Sequence, residues 1–99
     1  MVITIINLLK VKDGKMNDVV EILKEITPKL RQFEPDLIEF IPYTVNWDKN
    51  KNLLILYEKW ENIKASKEFV RLWLKETKKL GFSRLLEAES DVKICEEIV

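Results

Sequence analysis

Histidine is missing from all 99 residues, and no other absence removes as much chemistry. Without an imidazole there is no Ser-His-Asp or Cys-His relay, no histidine general base and no histidine metal ligand. The single cysteine, Cys95, excludes an internal disulfide and a thiolate cluster for zinc or iron–sulfur, and points to a reducing, cytoplasmic setting. Net charge is absent as well, since 17 basic residues balance 17 acidic ones. With no basic surplus the chain has little general affinity for nucleic acid, which is bound largely through counterion release. Neutrality also removes self-repulsion and leaves association unopposed. The apolar run that opens at Val2 is broken at Asn7, well short of the roughly 20 residues of a membrane span. No basic region precedes it as in a signal peptide. Only two glycines and three prolines punctuate the chain, and no linker or repeat divides it. Residues 1–99 therefore read as a single domain.

What is present alternates between strand and helix patterns. Val2–Lys12 is rich in β-branched residues and ends at an Asp13-Gly14 turn. From about Lys15 to Glu34, Met16, Val19, Val20, Leu23, Leu30 and Phe33 recur at helical spacing. Pro28 inside that pattern predicts a kink near Lys24–Thr27 or a second short helix after it. Leu37–Trp47 reads as a second strand, with Pro42 placing it toward a sheet edge or a bulge. Asp48–Asn52 reads as a polar hairpin loop and Leu53–Trp60 as a third strand. A second helix is predicted from about Asn62 to Leu80, with Phe69, Val70, Trp73 and Leu80 inward and Gly81 as its cap. Phe82–Ala88 adds a short helical turn, and Val92–Val99 a closing strand.

The order β-α-β-β-α-β is that of a ferredoxin-like α+β sandwich, a four-stranded antiparallel sheet with both helices on one face. Two helices cover only one face of such a sheet. Yet the first and third strands are apolar on both parities, which a sheet with one wet face does not show. The simplest cover for the second face is another copy of the same sheet, a homodimer formed through that face; the alternative is an exposed apolar sheet.

The run LLILYEKWENIKASKEF (Leu53–Phe69) resembles the antibiotic biosynthesis monooxygenase family, through a Tyr-Glu-x-Trp signature at Tyr57, Glu58 and Trp60. So does the opening strand followed by KVKDGK (Lys10–Lys15) and a helix ending before FEPD (Phe33–Asp36). The resemblance implies a dimeric α+β barrel, two ferredoxin-like sheets facing one another. It also implies one of several activities. These are oxygenation of a quinol or phenol with no metal or prosthetic group, binding or degradation of haem, or a catalytically silent dimer that binds a ligand or serves structure alone. Haem-degrading members hold iron with a histidine on the second helix; here that region reads LWLKETKK (Leu72–Lys79). The small aromatic substrate of the cofactor-free reaction is itself the reductant. The protein supplies a dry pocket between helices and sheet, donors for an oxyanion, and a proton acceptor.

Asn7 is the first candidate for that pocket. It shares a parity with Ile3, Ile5 and Leu9, an amide in a row of aliphatics, and its position resembles the pocket asparagine of the haem-degrading members. The alternative is an asparagine bonded to backbone at a bulge. Trp60 matches the signature tryptophan and either stacks on a planar substrate or anchors the end of its strand. Glu58, an acid within an apolar strand, is a general base if burial raises its pKa, or half of an ion pair. Tyr43 and Tyr57 are candidate donors to a substrate oxyanion, or interface and core aromatics. Phe69 and Trp73 read as core residues that also wall the pocket. A cavity bounded by Asn7, Trp60, Phe69 and Trp73 is the expectation. Lys64–Arg84 carries seven basic residues against two acidic ones, which attract an anionic substrate or simply form a solvated helix face.

Overall fold

The computed structural model describes residues 2–33, 36–45, 52–87 and 91–96. Their elements follow the predicted order: β1 (Ile3–Lys10), α1 (Met16–Phe33), β2 (Leu37–Thr44), β3 (Leu53–Trp60), α2 (Ile63–Lys79), a single 3-10 turn (Phe82–Leu85) and β4 (Asp91–Glu96). The strands form one sheet in the order β2-β3-β1-β4, antiparallel at every pairing. This is the expected ferredoxin-like arrangement.

Register decides which residues meet the helices. Ile3, Ile5, Asn7 and Leu9 of β1 stand opposite Trp60, Glu58, Leu56 and Leu54 of β3. All of these except Asn7 are buried, and Phe40 joins them from β2. Val19, Leu23, Ile26 and Leu30 of α1, with Ala65 and Phe69 of α2, close the core from above. The opposite parity, with Ile6, Leu8, Leu53, Ile55 and Tyr57, is half-buried and carries no helix. Both apolar faces are therefore real, and one stands uncovered in the single chain.

Local chemistry sets the boundaries. Gly14 turns the chain out of β1 with φ +77°, and Gly81 does so after α2 with φ +68°, conformations that disfavour any side chain. Asn62 caps α2 by accepting a hydrogen bond from the Ala65 N–H at 2.9 Å. β2 is an edge strand, which Pro42 tolerates, and its register shifts between Leu37 and Glu39.

α1 continues through Pro28 as one helix, so the second short helix offered as an alternative is not found; Ile26, Thr27 and Leu30 on both sides of the proline are buried and hold the turn in place. β2 spans Leu37–Thr44, and the Val45 N–H reaches the Leu53 carbonyl at 3.3 Å; the predicted continuation over 46–47 lies outside the described residues. The predicted hairpin loop, apart from Asn52, and the end of the predicted last strand at 97–99 lie outside the described residues. Among the described residues no helix is long and apolar enough to cross a membrane.

Candidate functional site

A cleft of about 690 Å³ opens between the C-terminal half of α2, the 3-10 turn and β1. Asn7 and Leu9 come from the sheet, Trp73, Leu74, Thr77 and Lys78 from the helix, and Phe82, Ser83, Leu86 and Glu87 from the turn and its sequel. α2 is apolar enough here to face the sheet, and Thr77 ties its hydroxyl back to the Trp73 carbonyl at 2.7 Å. That bond uses the threonine on the helix itself. The turn is fastened to β1 by the Lys12 N–H to Leu85 carbonyl and Glu87 N–H to Lys10 carbonyl bonds, at 2.8 and 2.7 Å.

Asn7 is the exceptional group. Its Oδ1 is buried and has no hydrogen-bond partner among the described residues. A buried polar atom left so costs about 1–3 kcal/mol, and nearly all such atoms in folded proteins find partners.

Of the four residues expected around one cavity, Asn7 and Trp73 line it. Trp60 and Phe69 lie in the closed core, their rings 5.0 Å apart edge to face. The register explains the separation. Asn7 pairs with Leu56, four residues along β3 from Trp60, which is about 13 Å at strand rise. Parity had placed Asn7 and Trp60 on one face correctly; distance along the strand separates them. Trp73 bridges the two regions, with Phe40 at 6.1 Å on one side and Phe82 at 5.3 Å on the other.

Glu58 is buried and accepts a hydrogen bond from the Trp60 indole Nε1–H at 3.0 Å. Burial raises its pKa above the ordinary 4.5, and the indole bond opposes that rise in part. Its carboxyl is not among the lining groups of the cleft. Tyr57 faces the uncovered side of the sheet, opposite Ile6 and Ile41. Tyr43, 49% exposed, borders a different cleft beside α1.

Thr77, Lys78, Phe82, Ser83, Leu86 and Glu87 complete the site without having been singled out in the sequence. Thr77 lies one helical turn beyond Trp73, a spacing that could have indicated it. Lys78 follows Thr77 on the helix. Phe82, Ser83, Leu86 and Glu87 reach the site because the chain returns to β1 after the turn at Gly81, and although the glycine announces a turn, no residue pattern announces where the chain goes after it.

A model of the antibiotic biosynthesis monooxygenase family matches residues 2–72, from β1 into α2. No match is found among curated proteins. Of solved structures, the chain is similar to a conserved protein of Methanosarcina mazei Go1, at 18% identity and a TM-score of 0.80, over 98% of this chain and 93% of that one. It is also similar to two proteins provisionally named antibiotic biosynthesis monooxygenases. For that of Caulobacter crescentus CB15 the identity is 12%, the TM-score 0.83 and the coverage 99% and 91%. For that of Nitrosomonas europaea the identity is 14%, the TM-score 0.83 and the coverage 98% and 90%. At these identities the structural likeness speaks for the fold alone. The family match is the stronger finding, because it runs over more than half of the sequence: the chain belongs to the antibiotic biosynthesis monooxygenase family.

Proposed function

We propose that the protein is a cytoplasmic homodimer that oxygenates a quinol or phenolic aromatic in the cleft between α2 and β1, with no metal or prosthetic group. The observation that carries this reading is the partnerless Oδ1 of Asn7 at the cleft. A substrate hydroxyl supplies the missing donor. The amide N–H2 of the same side chain donates to the oxyanion left when the phenolic proton departs, which is where charge develops. Trp73 offers an aromatic wall for a planar ring. Trp60 and Glu58 act from behind that wall as positioning residues, and Phe69 keeps Trp60 in place.

The chemistry balances without a second reductant. The phenolic proton passes to solvent water. The ring anion passes an electron to dioxygen, and the pair recombines as a peroxide at a ring carbon that takes a proton back. Loss of water, carrying off that proton and the hydrogen of the same carbon, leaves a carbonyl. One oxygen atom stays in the quinone product, the other leaves as water, and the substrate supplies all the electrons. Aerobic and anaerobic incubation with a panel of hydroquinones, followed by product analysis, tests this. Formation of a hydroxyquinone that carries one atom of labelled dioxygen, reduced about ten- to a thousandfold in Asn7→Ala, is the expected result, whereas quinone with hydrogen peroxide marks simple oxidation. Turnover that is indifferent to Asn7→Ala overturns it.

One observation favours a second reading, ligand binding without turnover. The buried acid whose pKa is raised, Glu58, is bonded to Trp60 and does not line the cleft. The acid that does line it, Glu87, lies 3.8 Å from Lys10 at the surface. Saturable binding of a hydroquinone with no product under oxygen selects this reading.

The dimer rests on the uncovered face of β1 and β3. Ile6, Leu8, Ile55 and Tyr57 form an apolar sheet surface of the kind a second copy covers. Sedimentation at micromolar concentration should give a dimer, and Ile55→Lys with Tyr57→Lys a monomer of much reduced stability. A wild-type chain that sediments as a stable monomer overturns the proposal.

A further inference from the structure

A second cleft, of about 400 Å³, lies between α1 and the edge strand β2. Leu23, Pro28, Pro42 and Leu54 give it apolar walls. Lys24, Thr27 and Arg31 line it at steps of about one helical turn, so one ridge of α1 presents a cation, a hydroxyl and a second cation. Among the described residues no acidic side chain lines it, although Lys24 lies 3.6 Å from Glu21 in an exposed ion pair that a bound carboxylate would have to displace.

Two features make this more than a surface furrow. The Arg31 guanidinium is anchored, with Nη2 and Nε donating to the Phe40 carbonyl at 2.7 and 3.1 Å. Its remaining N–H groups are therefore presented on an oriented fork rather than a loose side chain. Thr27, only 7% exposed, has an Oγ1 with no hydrogen-bond partner among the described residues. A threonine within a helix commonly bonds back to the carbonyl one turn earlier; Thr27 does not. Pro28 beside it has no N–H, so the Lys24 carbonyl lacks its usual intrahelical donor. Unmet polar groups and two cations thus gather on one apolar depression.

We propose that this cleft is a binding site for a small amphiphilic carboxylate. The apolar body rests against Leu23, Pro42 and Leu54. The carboxylate is taken by Lys24 and Arg31, and the Thr27 hydroxyl donates to it. The site is separate from the Asn7 cleft, with which it shares no lining residue, and it stands or falls independently of the oxygenase reading.

Titration of the full chain with octanoate and with the neutral octanamide, followed by amide NMR shifts, tests the assignment. Octanoate should move the amide signals of residues 20–27, 29–31 and 43–44, the two prolines having none, and leave those of Asn7 and Thr77 unmoved. Octanamide, and octanoate at high salt, should bind about tenfold more weakly or worse. Lys24→Ala changes an exposed side chain and should weaken octanoate about tenfold. Thr27→Val keeps the shape and should weaken it several-fold while the protein stays folded. Equal affinity for octanamide, shifts centred on Asn7 and Thr77, or affinity unchanged in both variants would each overturn the proposal.

Discussion

β3 and β4 offer apolar side chains to the same face of the same sheet and meet different fates. Leu54, Leu56 and Trp60 of β3 are at most 1% exposed, whereas Val92 and Ile94 of β4 are 48% and 59% exposed. Register puts Ile94 beside Ile5 and Val92 beside Asn7, so all of them point toward the helix side. Two helices centred over β3 do not reach the far margin of a four-stranded sheet. Where their coverage ends, the tight aromatic packing of Trp60, Phe69 and Phe40 gives way to the cleft of Asn7. The site is a consequence of incomplete coverage. At Asn7 the helix side of the sheet is a cleft rather than a packed helix face, and the buried, partnerless Oδ1 is a cost the fold carries there.

Substitutions can break or sharpen this contrast. The largest effect is expected on the packed side, where Trp60→Ala removes a fully buried indole and orphans Glu58. A loss of about 3–5 kcal/mol follows for large-to-small core changes, to be measured by urea unfolding. On the open side the sign should reverse. Asn7→Leu replaces a partnerless amide by an aliphatic of similar size and should stabilise the fold by about 1–3 kcal/mol, while abolishing turnover or ligand binding. A destabilised Asn7→Leu would show that the amide serves the fold.

Glu58 probes the packed side by pH. Its folded pKa is raised by burial, so the folded protein holds that proton more tightly than the unfolded chain does. Stability from this group is fully present below about 4.5, the ordinary value, and is lost as pH rises through the folded pKa. Melting temperatures of the wild type and Glu58→Gln across that window should diverge as pH rises, the variant being flatter. The smallest change is expected at Leu74, 60% exposed at the mouth of the cleft. Leu74→Gln should alter stability by no more than about 0.5 kcal/mol and weaken only the binding of apolar aromatics.

The contrast also marks how far the sequence could be read. Element order was legible because β-branched runs, helical spacing and the Asp13-Gly14 and Gly81 turns agree with one another. The face of Asn7 was legible because side-chain parity is a local property of a strand. Depth and lateral position were not. Trp60 and Asn7 share a face, yet which one the helices bury depends on where α2 crosses the sheet, a tertiary fact. At Pro28 the local rule allows a break as well as a kink, and the helix is not broken because buried Ile26 and Leu30 hold it together. The unmet Thr27 hydroxyl is not legible in the sequence, because it exists only once its neighbours are placed.

The sheet order has a further consequence, for how the chain is made. β1 is a central strand, with Ile3 between Trp60 on one side and Glu96 on the other. During synthesis this most apolar strand emerges before either neighbour exists, and its backbone groups and side chains must wait for pairings that span most of the sequence. Long-range pairing of this kind slows folding and prolongs exposure of an aggregation-prone edge. The stretch VITIINLL is thus the apolar segment that waits longest for its partners. Asn7, with Thr4 one of the two polar residues within it, interrupts the apolar segment before any ligand is met.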